Sequence, residues 1–344
     1  MNSFENWDEL CDAFRAVGGV VDNVSIRSQN NNRSLFALDP SKPILIHLPT
    51  SLQVPIEDVE LEDGNLGLRK GSDFSEAYKE FFHRYHKSTS WSQGGRKDIE
   101  DFFYQMQALP ERVKAVLENK FNFQAFLNGG DESAVLNRFI ESRSIRINKK
   151  AVLMPMLELA NHSARGMPYK ISNGITLSGN VKSEVLAFYS MSDSWHKFRD
   201  YGFAIPERYA FSQGYNIKRH QGPGLINVLN NLSANEKLEG KFFAPQVTKK
   251  GTSVDISYLM IGDRGNLSAP KHVFDKVISE HLGKGADEFF EILSYNNKNK
   301  FLTLLAACED DEGPMISTLR TVCRYQLEAL SHCVFGKWPA AEDA

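Results

Sequence analysis

The spacing of apolar residues along this chain changes several times, and each change marks an element. Phe4, Trp7, Leu10, Cys11 and Phe14 recur every three or four positions, which predicts a helix that Gly18-Gly19 ends. Short apolar runs follow: Val24-Ser25-Ile26, Ser34 to Ala37, and Pro43 to Pro49. These predict strands, with the polar stretch Ser28 to Arg33 as the turn between the first two. Residues 56–67 are acidic and read as a loop.

From about 73 to 145 the period is helical. Phe81, Phe82 and Tyr85 share one face, Phe102, Phe103 and Met106 another, and breaks fall at Gly94-Gly95 and Gly129-Gly130. Strands return at Ala151 to Met156 and Glu184 to Tyr189, with tight turns expected at Asn173-Gly174 and Gly179-Asn180. Beyond 206 a mixed segment holds a predicted strand at Val254 to Ile261. Helices close the chain: one capped by Ser268 with Pro270 in its first turn, then 286–308 and 315–335. The pattern is that of an α+β protein.

Composition narrows the function. At 344 residues and 42% hydrophobic the chain can build two domains with a real core. A net charge of −3 argues against a general nucleic-acid or membrane binder. No apolar run reaches the roughly 18 residues of a membrane span. Met1 to Arg15 is acidic and amphipathic, unlike a secretory leader. Cys11, Cys308, Cys323 and Cys333 are scattered without a C-x-x-C pair, so neither a disulfide framework nor a zinc site is expected. These features predict a soluble intracellular protein, cytoplasmic and without a metal. His83 and His86 lack further ligands and read as a solvated helix face. Cys323, His332 and Cys333 read as an apolar helix face.

Several segments, taken in order, are informative together. They are Asn32-Arg33-Ser34-Leu35-Phe36-Ala37; Ile44 to Pro49; Pro155-Met156-Leu157-Glu158-Leu159-Ala160-Asn161-His162-Ser163; Glu184 to Tyr189; and Asp200-Tyr201-Gly202-Phe203 with Pro206. In kind and order they resemble the motifs of the SET-domain methyltransferases of the Rubisco large-subunit lysine methyltransferase type. The resemblance covers roughly residues 5–205. It implies a β-rich SET domain over 1–206 with a helical insertion at about 70–148, followed by a mostly helical substrate-binding domain over 207–344.

The same resemblance implies an S-adenosylmethionine-dependent protein-lysine N-methyltransferase. Tyr189 is then the catalytic tyrosine and Tyr201 lines the lysine channel. Asn32, Arg33, Ser34, Leu35 and Phe36 cradle the cofactor, largely with backbone groups. Asn161 and His162 bind it too, with the Asn161 side chain meeting its ammonium end. Arg143 pairs with its carboxylate, for which a guanidinium is suited by its forked geometry. Glu158 is structural. The partner implied is a protein substrate bound by the C-terminal domain.

The chain departs from the family at Asn32 and Ser34, where glycines are usual, at Ser190, which replaces a glycine, and at Ser194, which replaces an asparagine. The departures at Ser34, Ser190 and Ser194 motivate a second reading, a SET fold without turnover that serves as a peptide-binding or interaction module; and because some relatives of this type methylate histidine, a protein-histidine methyltransferase stands as a third.

Overall fold

The computed structural model describes residues 7–29, 32–148, 150–218, 223–232, 236–238 and 242–331. The chain divides into two compact units, one of Met1–Tyr104 with Gly129–Ser190, the other of Gln105–Asn128 with Met191–Ala344. Both mix helices and strands, so the α+β class holds.

In the first unit the helix Trp7–Ala16 buries Trp7, Leu10, Cys11 and Phe14, the stripe its spacing predicts. The strand Pro43–Pro49 is the spine of an antiparallel sheet, between Val20–Asp22 and Gly174–Asn180, with Lys170–Ile171 at the edge. Ile44, Ile46 and Leu48 alternate into the core. The strands Val24–Gln29 and Asn32–Ala37 pair antiparallel along their whole length. A further antiparallel set joins Val54–Pro55, Lys150–Leu153 and Ser144–Ile147. The strand Asn161–Pro168 runs parallel to Leu186–Phe188, with its register interrupted between His162 and Met167.

The helix Glu76–Ser88 is started by Ser75, whose hydroxyl accepts from the Tyr78 N–H at 3.2 Å. It buries Tyr78, Phe81, Phe82, Tyr85 and His86. His86 does not lie on a solvated face: it is fully buried against the rings of Phe82, Tyr85 and Phe139. Burial drives its pKa well below the usual histidine value, with Arg143 and His83 adding to the effect, so the ring is neutral.

The second unit contains the sheet Tyr215–Lys218, Leu225–Val228, Ser253–Ile256 and Val247–Lys250, in that order. Tyr209–Phe211 pairs separately with Met260–Asp263. The predicted strand Val254 to Ile261 is thus two strands in two sheets, broken at residues 257–259. The helices Ala286–Ala307 and Pro314–Ser331 pack on each other, and Phe121, Phe123, Trp195, Phe198 and Phe301 form an aromatic cluster.

Other local expectations shift. The acidic stretch 56–67 contains a hairpin, Val59–Glu62 with Asn65–Leu68, turned by Asp63 (φ 50°) and Gly64 (φ 76°). Asp-Gly is a strong hairpin signal, but the acidic flanks masked it. Gly179-Asn180 is not a turn: the strand Gly174–Asn180 runs on, pairing Gly179 with Ile44 and Asn180 with Pro43. His332 and Cys333 lie outside the described residues. Cys11, Cys308 and Cys323 are buried free thiols. Among the described residues no helix is long and apolar enough to cross a membrane, and no three His, Cys, Asp or Glu side chains group to hold a metal ion.

Candidate active site

The candidate site is built on the strand Asn32–Ala37. One of its edges is taken by Val24–Gln29. On the other, the Val185 N–H donates to Leu35 O at 2.7 Å and the Ala37 N–H donates to Ser183 O at 2.9 Å. By the alternation of the ladder, the N–H of Leu35 and the main chain of Arg33 face this same edge. No hydrogen bond among the described residues takes them. Leu35 and Phe36 turn their side chains into the core, with Arg27 over the Phe36 ring at 5.0 Å. Asn32 continues the strand; its side chain lies outside the described residues.

Ser34 is 3% exposed. Its hydroxyl donates to the Glu184 carboxylate. The Asn161 amide nitrogen donates to Ser34 Oγ at 3.0 Å and to Glu184 Oε1 at 2.8 Å. Three residues from distant segments thus share one knot. Asn161 starts the strand that pairs with Leu186, which places its neighbour His162 opposite Ala187. From there His162 Nδ1 accepts from the Tyr189 N–H at 3.2 Å, and the two rings stand 5.0 Å apart. The Tyr189 hydroxyl donates to Ala160 O at 2.7 Å. Burial pushes its pKa up to about 12, with Glu158 adding and Arg143 opposing, so Tyr189 is a phenol at neutral pH.

Behind these residues lies a charged cluster. Glu158 is buried, its side chain 1% exposed. Its Oε1 accepts from Tyr85 OH at 2.9 Å and from Ser90 Oγ at 2.5 Å. Its Oε2 lies 3.8 Å from Arg143 Nε. Burial raises the Glu158 pKa, and Arg143 pulls it back. Arg143 stacks over Phe139 at 4.2 Å and reaches Ser142 Oγ at 2.8 Å. Arg33 donates to the carbonyls of Thr89 and Ser90. Both guanidinium groups lie beside the turn at Gly94-Gly95: a Cβ on Gly94 would stand 3.2 Å from Arg33 Nη2, and one on Gly95 would meet Ser90 O at 2.8 Å and the Phe139 ring at 2.9 Å, with Arg143 Nη2 at 3.4 Å. Asp98 is the nearby acid, its pKa raised by burial against the pull of both arginines. Sequence reasoning found both arginines; it gave Glu158 only a structural role and Glu184 none.

Tyr201 belongs to the second unit, at the end of the helix Ser194–Tyr201. Its ring stacks on Phe203 at 5.6 Å, with Lys197 Nζ 5.5 Å from its centre. Asp193 starts this helix. Its carboxylate accepts from the His196 N–H at 2.9 Å, His196 Nδ1 at 2.6 Å, the Phe211 N–H at 2.9 Å and Gln326 Nε2 at 2.6 Å. Of the candidate residues, the first unit therefore brings Ser34 to Asn161, His162 to Tyr189, and Arg33 close to Arg143, while Tyr201 is held in the second by its own support.

The first unit thus contains a phenol (Tyr189), an amide tied down at one end (Asn161), main-chain groups of Arg33 and Leu35 that no hydrogen bond among the described residues takes, and the guanidinium groups of Arg33 and Arg143. No protein-family model matches the chain, and no curated protein does. Among solved structures, the SET domain of LSMT bound to lysine and AdoHcy is similar, at 15% identity over 96% of this chain and 90% of that one, with a TM-score of 0.43. Rubisco LSMT bound to sinefungin and monomethyllysine (15% identity) and Rubisco LSMT bound to AdoMet (13%) each match 94% of this chain and 89% of theirs, with a TM-score of 0.43. At such scores and identities, what the site holds is decided by its own side chains.

Proposed function

We propose that this chain is a protein methyltransferase that draws its methyl group from S-adenosylmethionine and passes it to a lysine side chain of another protein. The observation that carries the reading is the Tyr189 phenol, fixed on Ala160 O and flanked by His162, in the same unit as the tethered Asn161 amide. It sits on the motif order that resembles the SET family.

The residues present fit such a donor. Arg143 and Arg33 suit its carboxylate, Asn161 Oδ1 suits its ammonium, and the main chain of Arg33 and Leu35 offers further polar groups. When bound, S-adenosylmethionine supplies an electrophilic methyl: the sulfur–carbon bond breaks as the nitrogen–carbon bond forms, and a neutral thioether leaves. The acceptor must first lose its proton. A free lysine has a pKa of about 10.4, so deprotonation at pH 7 costs about 4.6 kcal/mol. A cationic sulfur and an apolar approach both disfavour the ammonium and lower that cost. Tyr189 is no base at neutral pH. Its hydroxyl donates to Ala160 O, which fixes the phenol, and its oxygen is assigned to aligning the amine and the methyl. Tyr201 is assigned to the lysine approach, and residues 207–344 to binding the substrate protein.

The test has two arms. S-adenosylhomocysteine should bind saturably in calorimetry, and labelled methyl should pass from S-adenosylmethionine to proteins of a lysate. Tyr189→Phe should bind the nucleoside normally but transfer about 10–100-fold more slowly, the worth of a hydrogen bond to a charged group. Binding without transfer would favour the peptide-binding module; absence of both would refute the reading.

A further inference from the structure

We propose that Ser34 and Glu184 are positioning residues that fix the orientation of the Asn161 amide, presenting Oδ1 as the acceptor for the ammonium of an α-amino acid group. The inference rests on the methyltransferase reading and deepens it.

The knot of these three side chains has only one consistent proton arrangement. An ionised carboxylate accepts and cannot donate. Glu184 therefore accepts from the Ser34 hydroxyl and from the Asn161 amide N–H. With its O–H already directed at Glu184, Ser34 Oγ acts as acceptor toward Asn161, whose amide nitrogen donates to it at 3.0 Å. A flipped amide would set Oδ1 against the Glu184 carboxylate and against a hydroxyl with no proton left for it. Both contacts would be repulsive, so the nitrogen is locked inward and Oδ1 outward.

The backbone makes the knot rigid. Ser34 is opposite Arg27 in a fully paired hairpin. Glu184 bridges Phe36 through the hydrogen bonds of its neighbours, Ser183 O and Val185 N–H. No hydrogen bond among the described residues occupies Asn161 Oδ1. An acceptor held this way, with a carboxylate one amide away, suits a cation that donates hydrogen bonds. An ammonium fits; a carboxylate or phosphate does not. The serine at 34, where a glycine is usual in the family it resembles, thus has a physical role: a glycine supplies no hydroxyl to close the knot.

The test compares two ligands on the full chain. S-adenosylhomocysteine carries the amino acid group; methylthioadenosine shares its nucleoside and thioether but lacks that group. Ser34→Ala and the near-isosteric Glu184→Gln should each weaken S-adenosylhomocysteine about tenfold, as expected when a hydrogen bond to a charged group loses its orientation. Methylthioadenosine affinity should stay within about twofold, and Ser34→Thr, which keeps the hydroxyl, should recover part of the loss. Equal losses for both ligands, the result of a purely structural role, would overturn the inference, as would no loss in either variant. A wild-type protein that binds neither ligand would overturn the methyltransferase reading itself, and this inference with it.

Discussion

Lys197 is a buried lysine of the second unit. It is 0% exposed, lies on the helix Ser194–Tyr201, and sets its ammonium 5.5 Å from the Tyr201 ring centre. Burial lowers its pKa to about 8 from its ordinary 10.5, although Glu207, Asp200 and Asp193 favour the charged form. The folded state therefore holds this proton less tightly than the unfolded chain does. Below about pH 8 both states are protonated and the fold carries the full penalty; between about 8 and 10.5 the folded lysine is neutral first, and stability rises. At 1.36 kcal/mol per pH unit, the penalty at pH 7 is about 3 kcal/mol.

Lys197→Met keeps the unbranched stem and removes the charge. In urea unfolding the stability difference between Lys197→Met and wild type should shift toward wild type by about 2–3 kcal/mol from pH 7 to pH 10, with an unchanged slope against denaturant. The other titrations, including that of Lys300, are common to both proteins and cancel in the difference. A difference that is the same at both pH values would refute the reasoning.

Two further outcomes follow from buried geometry. Asp193→Ala leaves the donors of His196, Phe211 and Gln326 without their acceptor and should cost about 4 kcal/mol in urea unfolding. Burial pulls the Asp193 pKa up, but His196 and the main-chain donors outweigh it and hold it below the ordinary 3.8. Its contribution is therefore complete above about pH 4 and fades below, so wild type and Asp193→Asn should converge in stability as acid is added. Gly166→Ala should cost about 2–3 kcal/mol in the same assay, because the added carbon would lie 2.4 Å from the Ala187 carbonyl carbon, where only backbone could yield.

The Tyr189→Phe transfer assay and the Ser34 and Glu184 binding series test the site directly. The stability predictions test the packing of each unit: Lys197 and Asp193 in the second, Gly166 in the first. A failure at Lys197 or Asp193 leaves the site predictions standing, since those residues lie in the second unit and the knot at Ser34 in the first; Gly166 shares the first unit with the knot.

The sequence by itself determined whatever depends on near neighbours. The stripe of Trp7, Leu10, Cys11 and Phe14 repeats within one helix, and the alternation of Ile44, Ile46 and Leu48 within one strand, so their buried faces could be read from spacing. The motif order around Asn161 and Tyr189 pointed to the candidate site for the same reason, as short words in a fixed sequence. Only the tertiary structure decided what Asn161 and His86 meet. Asn161 meets Ser34 across 127 positions, and Ser34 meets Glu184 across 150. His86 has the polar composition of a surface residue and is buried because Phe139 closes over it. A hydrogen bond or a desolvated ring depends on what arrives from elsewhere in the chain, and no local period encodes that arrival.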